Sequence, residues 1–185
     1  MHKKISVLLV FSLILFLTNK STYAATNDAK TILLKKYPNE VIRITKAADL
    51  NGDKKNENII LTDSGNLFLV NSKNVVVLID TNVAYEEDEP SIQLISISAK
   101  EKHAAVFVEY LPSNTQVYVY RLEQGTLVNK LKFMADYSAE VDKNGQFHQY
   151  WKKYNADSGY DLAHGVFIWD AKTSKYKGSG QFVRQ

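Results

Sequence analysis

The nine residues Asp49-Leu50-Asn51-Gly52-Asp53-Lys54-Lys55-Asn56-Glu57 place oxygen-bearing side chains at the first, third, fifth and ninth positions around a glycine. Carboxylates and amides at alternate positions of a tight bend can turn toward one centre. A hard cation takes such donors: Ca²⁺ binds six to eight oxygens at about 2.3–2.6 Å. The same residues can instead close an Asx-rich turn, in which Asp49 and Asn51 bond nearby backbone N–H groups and no ion enters. An EF-hand needs an acid at the twelfth position of its loop, and Ile60 stands there.

Other chemistry is thinner. His103, His148 and His164 show no pair at the short helical spacing of a zinc motif. His103, in a Lys-rich turn, is expected in solvent. His148, among Phe147, Tyr150 and Trp151, is expected to pack, and His164 beside Gly165 to line a cleft. The chain has no cysteine and no Gly-x-Ser-x-Gly elbow, so nucleophilic catalysis has no support. A hydrolase would need two carboxylates about 5–10 Å apart in a cleft; Glu109, Asp136 and Asp161 are the candidates. The acids of Tyr85-Glu86-Glu87-Asp88-Glu89-Pro90 read as a solvated run. Eight aromatic rings crowd the C-terminal third, from Phe147 to Tyr176. Tyr150, Trp151, Tyr160 and Trp169 are the candidate ligand surface if exposed, as aromatics grip partners at interfaces. If buried, they are the core of a small β domain.

The elements that must position these residues are mostly strands. Ala29, Ile32, Leu33 and Tyr37 fall at helical spacing, with Thr26 or Asn27 as cap and Pro38 as stop, predicting one short amphipathic helix. After it come short apolar runs separated by Gly, Asn and Ser tips, which is the pattern of hairpins. Val75 to Ile79 lacks alternation and predicts a strand covered on both faces. Asn144-Gly145 marks a hairpin tip. The strands group into three units of roughly 45 residues, each a four-stranded meander of the length of a propeller blade. The fold class is therefore all-β with one N-terminal helix, arranged as an incomplete propeller, a sandwich or an open barrel.

At Asp49 to Leu61, the loop and the apolar strand after it resemble FG-GAP and VCBS-type repeats, known from integrin-like propellers and secreted bacterial proteins. The resemblance covers about fifteen residues. It implies a Ca²⁺ site in which Asp49, Asn51 and Asp53 give side-chain oxygens, Lys55 gives its carbonyl and Glu57 closes the loop. The family's second glycine is Lys54 here, and Lys54 and Lys55 add positive charge beside the cation. The resemblance thus implies weak affinity, near the 10⁻⁴–10⁻³ M range of extracellular modules. A metal held this way is structural, with no open position to activate water.

The N-terminus gives the destination. Lys3 and Lys4 precede an apolar run from Ile5 to Leu17, and Thr22-Tyr23-Ala24 offers small residues for a cut after Ala24. This predicts a signal peptide over 1–24 and one mature domain over 25–185. The apolar run spans only about 20 Å, short of the roughly 30 Å hydrocarbon core, so no stable anchor is expected after cleavage. Residues 1–24 carry three of the chain's 23 basic residues and none of its 20 acidic ones, leaving the mature domain balanced. That argues against nucleic acid as a partner, since phosphate neutralisation needs a basic excess. Absence of cysteine excludes lipoprotein acylation and disulfide bracing. The Lys- and Asn-rich composition points to a Gram-positive source. The expected function is a secreted, non-enzymatic binding module, its partner a surface protein or glycan. The alternatives are a secreted hydrolase of wall polymer or saccharide, and a small toxin or immunity-type factor.

Overall fold

The computed structural model describes residues 23–183. Residues 1–22, which hold most of the expected signal peptide, lie outside the described residues. The described chain opens with helix α1 (Tyr23–Lys36), followed by twelve strands: β1 (Ile42–Ala48), β2 (Glu57–Thr62), β3 (Leu67–Val70), β4 (Val76–Asp80), β5 (Glu89–Ser98), β6 (Glu101–Tyr110), β7 (Asn114–Glu123), β8 (Thr126–Ala135), β9 (Ser138–Val141), β10 (Phe147–Tyr154), β11 (Tyr160–Asp170) and β12 (Lys175–Val183). They form three four-stranded antiparallel meanders, β1–β4, β5–β8 and β9–β12, and none closes on itself. The all-β class with one short helix holds. The helix already runs at Tyr23, so Thr26 and Asn27 lie inside it rather than capping it. Among the described residues, no helix is long and apolar enough to cross a membrane.

The sheets stack through alternate side chains, because successive residues of a strand face opposite ways. Leu33 and Ala29 of α1 pack on Ile60, Phe68, Val70 and Val76, one face of the first sheet. Ile59, Leu61, Leu67 and Leu69 on its other face meet Ala104, Val106, Tyr118 and Tyr120 of the second sheet. The second sheet's remaining face, with Ala105, Phe107, Val117 and Val119, meets Phe147 and Phe167 of the third. The layer order is therefore helix, first sheet, second sheet, third sheet. Full burial of a side chain such as Phe147 stabilises the fold by about 1.5–3 kcal/mol.

This order corrects the expectation for Val75 to Ile79. β4 is an edge strand, and both Val75 and Leu78 are exposed. The strands covered on both faces are β2 and β3, in which every residue is buried. The apolar run carried no information about which strand would sit centrally.

Two turns show how local chemistry sets the hairpins. Gly65 has φ +78°, and a Cβ there would lie 2.2 Å from the Ala84 carbonyl oxygen, so only glycine fits. At the β9–β10 turn Asp142 Oδ1 accepts from Asn144 N and Gln146 N, both at 2.9 Å, and closes the predicted Asn144-Gly145 tip.

A candidate ligand face on the third sheet

The Asp49–Glu57 bend joins β1 to β2, and its oxygens are engaged by the chain itself. Asp49 Oδ1 accepts from the backbone N–H groups of Asn51, Gly52 and Asp53 at 3.3, 2.7 and 3.2 Å, and Oδ2 accepts from Lys54 N at 2.9 Å. Asn51 Oδ1 accepts from Asp53 N, and Asp53 Oδ1 from Lys55 N. Slight desolvation raises the Asp49 pKa, but the four N–H donors outweigh it and hold the carboxyl below its usual range. Glu57 is buried, its Oε2 accepts from Leu50 N at 3.1 Å, and burial pushes its pKa up. Lys54, at φ 66°, adopts the left-handed backbone that the resemblance gives to glycine. Among the described residues, no three His, Asp or Glu side chains gather as a group that could hold a metal ion. The arrangement fits a self-capped turn. The backbone donors engage both oxygens of Asp49, so a calcium ion at this bend would share those oxygens with them.

His103 corrects a second expectation. It is completely buried between the second and third sheets. Its Nε2 lies 2.9 Å from Glu101 Oε1 and its Nδ1 lies 2.8 Å from the Tyr176 hydroxyl. The Trp169 ring meets it edge-on at 4.5 Å. Desolvation lowers the His103 pKa despite the Glu101 carboxylate, so the neutral ring donates from Nε2 to Glu101 and accepts from Tyr176 at Nδ1. Arg121 Nε donates to Glu101 at 2.8 Å, and its guanidinium lies 5.5 Å from the Trp169 ring centre. This is a cross-sheet staple, and it places Trp169 in the interface between sheets rather than on a ligand surface.

The four named aromatics divide by register. Phe147 points into the core, so Gln149 and Trp151 share its inward side, while His148, Tyr150, Lys152 and Tyr154 point outward. Cross-strand pairing extends this outward face: Tyr150 is opposite His164, Tyr154 opposite Tyr160, and His148 opposite Glu140 and Val166. No described element covers this face; β7 and β8 meet the other side and α1 packs on the first sheet. Trp151 lies inward over Gly165, whose Cβ would sit 3.3 Å from the ring. It lines an open groove with Met134, Asp136 and Gln149.

The outward face is a row of rings. Tyr154 is 70% exposed, Tyr137 43% and Tyr160 42%. Tyr160 lies 6.0 Å from Tyr154 and 6.4 Å from Tyr137, centre to centre. Lys152 Nζ sits 5.8 Å from the Tyr137 ring and 5.7 Å from the Tyr160 ring, and donates to Ser113 Oγ at 3.1 Å. Further along, the Tyr150 ring lies parallel to His164 at 4.6 Å, and its hydroxyl reaches Glu140 at 3.3 Å.

Tyr137 also borders a cleft of about 320 Å³ at the β6–β7 turn, lined by Glu87, Glu89, Glu109, Tyr110 and Ser113 among others. Glu89 and Glu109 are direct cross-strand partners and both are exposed. Asp88, in the same acidic run, is buried instead: its Oδ2 accepts from Tyr85 N at 2.6 Å, while Arg43 binds the carbonyls of Tyr85, Glu86 and Asp88. Asp136 is engaged structurally, accepting from Lys152 N at 2.7 Å. Tyr137, Lys152 and Glu89 were not singled out from sequence. The alternation His148-x-Tyr150-x-Lys152-x-Tyr154 is the signal that finds the Lys152 side of this face.

Comparison with protein-family models, with curated proteins and with solved structures finds no match.

Proposed function

We propose that the chain is a secreted, non-enzymatic binding module that holds a saccharide across the outward face of its third sheet. The observation that carries this reading is the exposed row Tyr137–Tyr160–Tyr154 beside an acid-lined cleft. Tyrosine rings offer flat apolar surface with a polar edge, at low conformational cost. The C–H faces of sugar rings match them, and the Glu87, Glu89 and Glu109 carboxylates can accept sugar hydroxyls. Such sites combine aromatic walls with a few polar groups that fix orientation. Extracellular destination rests on the N-terminal leader pattern. The test is co-sedimentation of the mature chain with insoluble peptidoglycan, chitin and cellulose. Retention on at least one supports the reading, and retention on none removes it.

A hydrolase reading has one observation in its favour. Direct cross-strand partners hold their Cβ atoms about 4.5–5.5 Å apart, and retaining glycosidases hold their carboxyls about 5–5.5 Å apart. Glu89 and Glu109 are such partners in a cleft. Reducing ends released from a bound polymer, and abolished by Glu109→Gln, would favour it.

A further inference from the structure

On the same outward face, His148 Nδ1 and His164 Nε2 lie 2.9 Å apart. The two rings are nearly parallel, at 7°, with centres 5.1 Å apart. At 2.9 Å the two nitrogens have room for one proton between them and not two. His148 Nε2 is buried without a hydrogen-bond partner, and the nearest carboxylate oxygen, Asp142 Oδ2, is 3.6 Å away. Neutral histidines satisfy this arrangement when His164 Nε2–H donates to His148 Nδ1, which leaves the His148 Nε2–H aimed toward Asp142. One added proton keeps the bridge and turns it into a charge-assisted bond. A second added proton places hydrogens on both facing nitrogens and like charges on both rings, and the bridge must open.

We infer that the His148–His164 pair is an acid-operated latch on the ligand face: the pair's second proton breaks the bridge, releases His164 from its stack on Tyr150, and dismantles that end of the ring platform. The inference rests on the reading of this face as the ligand site. Around the pair, β9 gives Glu140, the β9–β10 turn gives Asp142, β10 gives Tyr150 and β12 gives Ser179. Lys152 and Lys177 share the outward side but are bonded elsewhere, Lys152 to Ser113 and Lys177 to Asp170 at 2.5 Å. Glu140 and Asp142 favour the first proton. The His148 charge and desolvation oppose the second, and the His164 pKa is lowered accordingly, desolvation being the larger cause. Two sites this close titrate as a pair, in two separated steps.

The test is a nitrogen-detected titration of the histidine rings in the mature chain from pH 8 to pH 4, with chitin-oligomer binding measured across the same range. Two steps for the pair, separated by more than one pH unit, are expected. The lower step should coincide with loss of the Tyr150 ring's native chemical shift and an at least tenfold weaker binding of the oligomer. In His164→Gln, His148 should titrate in one step and binding should lose its acid dependence. Independent single titrations of His148 and His164 near pH 6.5 in the wild type would overturn the latch, whatever the variant does. Absence of oligomer binding at any pH would remove the saccharide reading while leaving the two ring steps intact, so the two failures are distinguishable.

Discussion

Tyr176→Phe removes one oxygen atom and tests the staple between the second and third sheets. The hydroxyl donates to His103 Nδ1 at 2.8 Å, and His103 has no solvent exposure. The phenyl ring keeps its contacts with Phe147 at 5.5 Å and Trp169 at 5.1 Å, so packing is conserved. What is lost is the donor to a buried ring nitrogen, a penalty of about 1–3 kcal/mol. A midrange loss of about 2 kcal/mol lowers Tm by about 4–8 °C for a domain of this size. The assay is urea unfolding of residues 25–185 followed by tryptophan fluorescence, at pH 7 and pH 5. The pH dependence has a definite sign. Desolvation holds the native His103 pKa below its ordinary 6.5, so in the window beneath 6.5 the unfolded chain binds more protons. Wild-type stability is therefore full above 6.5 and falls as pH drops through that window. In Tyr176→Phe the Nδ1 lone pair has no donor, its protonation is opposed less, and the gap to wild type narrows at pH 5. A loss under about 0.5 kcal/mol at pH 7, or a gap that widens in acid, would refute the reasoning.

Gly65→Ala forces a Cβ to 2.2 Å from the Ala84 carbonyl oxygen at φ +78°; it should cost more than about 2 kcal/mol. Gly159→Ala, at φ +75° with nothing within 4 Å, should cost only the left-handed penalty of about 1 kcal/mol; equal costs in chemical denaturation would undo the steric explanation. Asp49→Ala should lower Tm, because four backbone N–H groups lose their common acceptor. Millimolar Ca²⁺ against chelator should leave the wild-type melt unchanged. A calcium shift that disappears in Asp53→Ala would return an ion to the bend.

The strand count, the grouping into three meanders and the single helix were legible because they follow from local periodicity and turn residues. Asn144-Gly145 and Gly65 mark turns whatever the rest of the chain does. Which strand sits centrally was not legible. Val75 to Ile79 is as apolar as β2, yet it lies at an edge, because order within a sheet is set by partners distant in sequence. His103 shows the same limit. Its neighbours Glu101 and Lys102 suggest solvent, but the rings that bury it, Trp169 and Tyr176, arrive more than sixty residues later. In the candidate site, residue types singled out Tyr150, Trp151, Tyr160 and Trp169 alike; the pairing register puts Tyr150 and Tyr160 on the outward side and Trp151 and Trp169 on the inward side, since alternate residues of a strand face opposite ways. The Asp49–Glu57 residue types suit an ion and a self-capped turn equally. The backbone N–H groups turn toward Asp49, a direction that residue types do not carry.

The most direct measurement is the affinity of residues 25–185 for a peptidoglycan or chitin fragment, compared with that of the Tyr154→Ala/Tyr160→Ala double variant. Both side chains are solvent-exposed and outside the core clusters, so the variant should unfold at the wild-type temperature. Saccharide binding by the wild type is expected, with a loss of about tenfold or more in the variant, equivalent to about 1.4 kcal/mol. Equal affinity of the two proteins, or no saccharide binding by the wild type, would contradict it.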